Sequence, residues 1–151
     1  MRIVAISLAN LLAAQKEWER KKMGNDNCCN ILDSIISCKK HRTAGSSVRA
    51  LEHNGRVQGA VAYTTREGSI NIDYLSSAPW NVYGSSKQKF NGCGAKLVMH
   101  VYKRAMASSR IKYIELWSQH DAIGFYKKLG FKELQGGMRI TRREIAKQLG
   151  K

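Results

Sequence analysis

Lys89-Phe90-Asn91-Gly92-Cys93-Gly94-Ala95-Lys96 places two glycines, one residue apart, where an apolar helical run begins. Glycine lets backbone pass close to a ligand with no Cβ in the way, and a helix start leaves about four N–H groups without an intrahelical partner. Together they make a seat for an anion, so Asn91, Gly92, Cys93, Gly94, Ala95 and Lys96 are read as a cradle of backbone donors. It is not a P-loop, because G-x-x-x-x-G-K-[ST] is absent, and not a dinucleotide fingerprint, because the third position of G-x-G-x-x-G is Leu97. A nucleophilic Cys93 would need a His and Asn or Asp pattern that the chain lacks, which leaves it as a small packing residue. The four histidines and four cysteines show no metal-ligand spacing, and no metal is expected.

The cradle needs elements on both sides to hold it. Upstream, Ile70, Ile72 and Tyr74 alternate through a strand from Ser69 to Ala78. Downstream, Leu97, Val98, Val101 and Ala105 recur at helical spacing, followed by a strand from Ile111 to Trp117. Earlier in the chain, Arg2 to Ile6 reads as a strand, Leu8 to about Lys22 as a helix, Gly24 to Asn27 as a break, and the Ile31 to Ile36 region as a second helix. Val48 to Tyr63 is predicted as a hairpin turning at Asn54-Gly55. The chain closes with a hairpin, Phe131 to Leu134 and Met138 to Thr141, and a basic helical tail from Arg142 to Leu149.

The 151 residues, 43% of them hydrophobic, suit one domain, 1–151. No apolar run approaches the ~20 residues of a membrane span. Asn10 interrupts the apolar N-terminal run and no small-residue cleavage site follows, so a reduced, cytoplasmic protein is expected rather than a secreted one. Lys and Arg total 26 against 11 Asp and Glu, a net charge of +15. That charge is either a soluble basic surface or the mark of a polyanionic partner.

Lys89-x-x-Gly92-x-Gly94 closely resembles the [Q/R]-x-x-G-x-[G/A] acetyl-CoA motif of the GNAT acetyltransferase superfamily, with lysine for arginine or glutamine. Asp121-Ala122-Ile123-Gly124-Phe125-Tyr126-Lys127-Lys128-Leu129-Gly130-Phe131 resembles the family's A-x-x-F-Y-x-x-x-G-F helix. The resemblance covers nearly the whole chain in the family's element order. It implies an α/β (α+β) fold, a mixed but mostly antiparallel sheet of six to seven strands flanked by about four helices. The stretch between Pro79 and Gly92 is several residues longer than the family pattern; spacing to Gly92 favours Lys89 over Lys87 as the basic residue that meets a phosphate. Ala78-Pro79-Trp80-Asn81 also looks like a motif of a GNAT subgroup.

What the resemblance implies is acyl transfer from acetyl-CoA, as cosubstrate, to an amine. The pyrophosphate would sit on the cradle, and the pantetheine arm would run along a splayed strand end where donors near Leu75, Ser76 and Ser77 polarise the thioester carbonyl. Gln119 stands where the family often has asparagine beside the cofactor, and Tyr126 takes the place of the acid that protonates the departing thiolate. A lysine-like amine, with a pKa of about 10.4, must lose a proton before it attacks. Asp73 and Glu115 are the acidic candidates for that base, with His120 the alternative at a strand end. The acceptor classes are a protein or peptide amine, an aminoacyl-tRNA or ribonucleoprotein-borne amine, and a small amine, of which like charge disfavours a free polyamine. The competing reading is a basic nucleic-acid-binding module that keeps the fold without turnover.

Overall fold

The computed structural model describes residues 1–21, 27–83 and 90–150. Lys87 and Lys89 lie outside them, as does most of the break expected after Lys22; Asn27 already belongs to the next helix. The order is β1 (Arg2–Ala5), α1 (Leu8–Lys21), α2 (Asn27–Lys40), β2 (Ser46–His53), β3 (Arg56–Arg66), β4 (Ser69–Ser77), α3 (Pro79–Tyr83), α4 (Cys93–Met106), β5 (Tyr113–Leu116), α5 (Ile123–Lys128), β6 (Lys132–Leu134), β7 (Gly137–Thr141) and α6 (Arg142–Leu149). A single 3-10 turn, His120–Ala122, precedes α5. The sheet has seven strands in the order β1-β2-β3-β4-β5-β7-β6. Among the described residues only β4 and β5 run parallel, so the mixed, mostly antiparallel sheet that was expected is the one observed. Six α-helices flank it among the described residues, more than the four or so expected, in part because Pro79–Tyr83 folds as a short helix.

Strand alternation builds a core on each face. Val61, Tyr63, Ile70, Ile72, Ile114 and Leu116 pack with α4 on one side, while Ala60 and Ala62 on the other meet Leu11, Trp18, Leu32 and Ile35 of α1 and α2. Burying each large aliphatic contributes roughly 1.5–3 kcal/mol. The Asn-Gly turn is a two-residue loop: His53 pairs with Arg56, and Asn54 and Gly55 both take positive φ, 52° and 77°, as a type I′ turn requires.

Two bulges interrupt this ladder. Between β2 and β3 the register slips so that Leu51 faces Gly59 and Glu52 faces Val57, leaving Gln58 as the extra residue. Between β3 and β4, Ala62 faces Tyr74 and Tyr63 faces Ile72, leaving Asp73 as the extra residue. A bulge re-aims one side chain out of the alternation, and both of these flank the site described next.

Candidate active site

The parallel pair β4 and β5 separates early. Its register runs from Ser69 opposite Tyr113 to Ile72 opposite Leu116 and stops, while β4 continues to Ser77 against β3 alone. The N–H of Ala78 donates to the Gln58 carbonyl. In an antiparallel ladder the direction alternates with period two, so Tyr74 and Ser76 also face β3, and Leu75 and Ser77 turn their N–H groups toward the side β5 has left. Of the three expected donors, Ser76 therefore faces away; its hydroxyl donates to the carbonyl of Cys28 in α2.

Helix α4 opens into the same gap. Its N-cap, Gly92, has φ 80° and ψ 15°, a left-handed conformation that costs glycine little. Among the described residues no side chain caps this end, so the N–H groups of the first turn are the donors a ligand would meet. Lys96 is not among them, because its N–H donates to the Gly92 carbonyl. The side chains of Ala95 and Lys96 line a separate hollow on the far side of α4, with Met99, His100 and Lys103. The two glycines differ in purpose: Gly92 supplies the turn, while a Cβ on Gly94 would lie 3.1 Å from the Phe125 ring.

Two clefts meet here. One, of about 480 Å³, is lined by Asn91, Gly92, Cys93, Gly94, Leu75, Ser77 and Phe125, with Asn81, Phe90 and Asp121 among others. The other, of about 770 Å³, lies between α2 and the parted strands and is lined by Asn30, Ser34, Cys38, Asp73, Trp117 and Gln119 among others. Leu75, Ala122 and Tyr126 line both. The Tyr126 ring is 8% exposed and packs edge-on against Phe125 and Phe131. Burial pushes its phenol up to about 12, so it keeps its proton at neutral pH.

Asp73, thrown out by its bulge, sits in the larger cleft, where its carboxylate accepts from Thr64 Oγ1 at 2.7 Å and Asn71 Nδ2 at 2.6 Å. Glu115 does not join it. Its carboxylate is paired with Arg139 at 3.2 Å and lines a neighbouring hollow under β7, because the cross-strand register puts the two residues opposite each other. Gln119 faces the larger cleft, not the cradle, and accepts from Asn27 Nδ2 at 3.1 Å. His120 is exposed in the 3-10 turn. Burial raises the Cys93 thiol, against any nucleophilic role.

Several lining residues were not picked out from sequence. Asn27, Asn30, Ser34 and Cys38 form one stripe of α2 at i, i+3, i+7 and i+11, a polar face that helical periodicity contains. Trp117 is 79% exposed at the mouth of the larger cleft, just beyond the end of β5. Among the described residues no group of His, Cys, Asp or Glu is arranged to hold a metal.

A seven-stranded mixed sheet parted between its parallel strands, with a helix N-terminus facing the gap, defines an α/β fold with an anion-binding opening at the split. A model of the acetyltransferase (GNAT) family matches residues 7–131, and the chain belongs to that family. Among solved structures, a chain of the AtaT-AtaR complex bound to DNA has a TM-score of 0.67 at 18% identity, covering 99% of each chain. A GNAT family acetyltransferase from Brucella melitensis in complex with acetyl-CoA has a TM-score of 0.59 at 16% identity, covering 93% of this chain and 86% of that one. Tetrahymena GCN5 follows at 0.54 and 15%, covering 89% and 85%. These likenesses are likenesses of fold. No curated protein sequence matches the chain.

Proposed function

We propose that the chain works as a single domain, 1–151, and is an acetyl-CoA-dependent N-acetyltransferase whose acceptor is a primary amine on a protein, a peptide or an aminoacyl-tRNA. The observation that carries this reading is the meeting of two clefts at Tyr126, one walled by a helix N-terminus and the other holding a carboxylate. The cradle fits a pyrophosphate, since it offers backbone donors and the positive end of a 14-residue helix. The Brucella relative, whose structure is a complex with acetyl-CoA, supports the same choice of donor.

Acetyl-CoA, when bound, supplies an activated acetyl thioester. The N–H groups of Leu75 and Ser77 hold the pantetheine arm and polarise the acetyl carbonyl, a contribution of roughly 3–4 kcal/mol per donor in acyl-transfer sites. Asp73, with lone pairs left beyond its two hydrogen bonds, takes the proton of the incoming ammonium, directly or through water. Tyr126 stands between the clefts and gives its phenolic proton to the sulfur as the C–S bond breaks; the second amine proton, lost as the amide forms, returns the phenolate to its acid form. Gln119 and Asn27 fix the start of α2 and so the acceptor wall.

The test is release of free thiol from acetyl-CoA against pools of peptides, small amines and charged tRNA, beside calorimetric CoA binding. Acceptor-dependent thiol release is expected. CoA binding absent by calorimetry would leave the basic nucleic-acid-binding module as the reading.

A further inference from the structure

The Pro79–Gly92 stretch is longer than the family pattern, yet the cradle after it is well formed, and the structure shows what fixes its starting point. Asn81, 7% exposed in α3, donates through Nδ2 to both the Gln58 carbonyl and Gln58 Oε1, each at 3.0 Å, and accepts the Phe90 N–H on Oδ1 at 2.9 Å. Gln58 Oε1 also accepts from Trp80 Nε1 at 2.8 Å, and its carbonyl from the Ala78 N–H at 3.0 Å. Two acceptors on one side and a donor on the other allow only one orientation of the Asn81 amide. Gln58 is available because it is the bulge residue of β3, 1% exposed and released from the ladder to β2.

Phe90 is gripped from three directions. Its N–H is held by Asn81, its carbonyl accepts the Cys93 thiol at 3.4 Å, and its ring lies 4.9 Å from that of His53. Two residues on, Gly92 turns left-handed and α4 begins. Whatever number of residues separates Asn81 from Phe90, the backbone that enters the cradle starts from a point tied to the sheet. Trp80 is braced in turn by Arg56, whose guanidinium stacks on the indole at 3.6 Å while it pairs with Glu17 of α1 at 3.1 Å.

We infer that Asn81, anchored on the bulged Gln58, is a positioning residue for the anion cradle: it sets where the first-turn N–H groups of α4 stand relative to β4. The inference rests on the reading of the cradle as the seat of the CoA pyrophosphate. It assigns a purpose to Ala78-Pro79-Trp80-Asn81, with proline and tryptophan starting and packing the short helix and asparagine closing the stretch onto the sheet.

A donor that lacks the pyrophosphate separates this role from general support. In Asn81→Ala the KM for acetyl-CoA is expected to rise about tenfold or more, the equivalent of one lost buried hydrogen bond. Turnover of S-acetylpantetheine, which ends before the cradle, should stay within about twofold of wild type. Gln58→Met, similar in size and neutral, should show the same split to a smaller degree. Equal losses with both donors, or no loss with either, would overturn the inference. A measurement on the unaltered protein needs no variant to fold: the Phe90 amide should exchange with solvent deuterium about 10²-fold or more slowly than a free amide before any ligand is added. A rapidly exchanging Phe90 amide overturns the clamp alone, whereas failure of the wild type to bind CoA overturns the functional reading beneath it.

Discussion

Tyr102 and Tyr126 are both buried, and burial raises both phenols, but only one is free to act. Tyr102 spends its proton on the Leu129 carbonyl at 2.6 Å, away from either cleft. Tyr126 lines both clefts. Tyr126→Phe keeps the ring packing and removes only the acid, so kcat should fall ~10²-fold or more with CoA affinity unchanged. A wild-type kcat in that variant would return the residue to the core. With a pKa of about 12, the acid form persists throughout the ordinary working range, and the kcat profile should show no falling limb assignable to it below pH 10. Full transfer to a thiolate with a free-thiol pKa of about 8.5 would be uphill by roughly 5 kcal/mol. Acid catalysis by Tyr126 therefore requires that the desolvation that raises it raise the sulfur beside it as well.

At the level of elements, the site depends on β4 outlasting β5 and on α4 pointing its start at the gap. The far end of α4 is secured by Arg142, the first residue of α6, whose guanidinium donates to the carbonyls of Ala105, Met106, Ser108 and Ile111 at 2.8–3.1 Å. This arginine reads in sequence as part of a basic helical tail, but its guanidinium is taken up by the fold. Pairing of Thr141 with Tyr113 puts α6 at the end of the sheet away from Trp117 and the clefts. Arg142→Ala strips the partner from several carbonyls and a cation from a helix C-terminus. Stability should fall by about 2–3 kcal/mol, lowering Tm by roughly 4–10 °C, with CoA affinity retained. A melting temperature unchanged within a degree would show that the carbonyls find water instead.

Among the described residues exposed cations stand on α1 and α2, at Lys16, Arg20, Lys21 and Lys40, and on α4, α5 and α6, at Lys103, Arg104, Lys127, Lys128, Arg143 and Lys147. An RNA-borne acceptor would displace counterions from that surface, so binding of a model RNA should weaken with a log–log salt slope of about −0.7 for each phosphate contacted. Fluorescence anisotropy across a salt series measures it, and a flat response leaves peptide amines as the acceptor. Much of the fold was legible because it is written locally: alternation in β3 and β4, the Asn-Gly turn, the apolar spacing of α4, and the glycine at its start. The glycine spacing brought out the cradle, while Tyr126 stood out only through the resemblance of its helix to the GNAT motif. Asp73 and Glu115 read alike in sequence, both acidic and both on central strands. A one-residue register slip turns Asp73 into the cleft, while the facing register gives Glu115 to Arg139. Gln58 and Asn81 lie 23 residues apart and acquire a role only when a bulge and a short helix bring their amides together. Register, bulges and long-range hydrogen bonds are set by which strands pair and where, a property of the assembled sheet and not of any one stretch of chain.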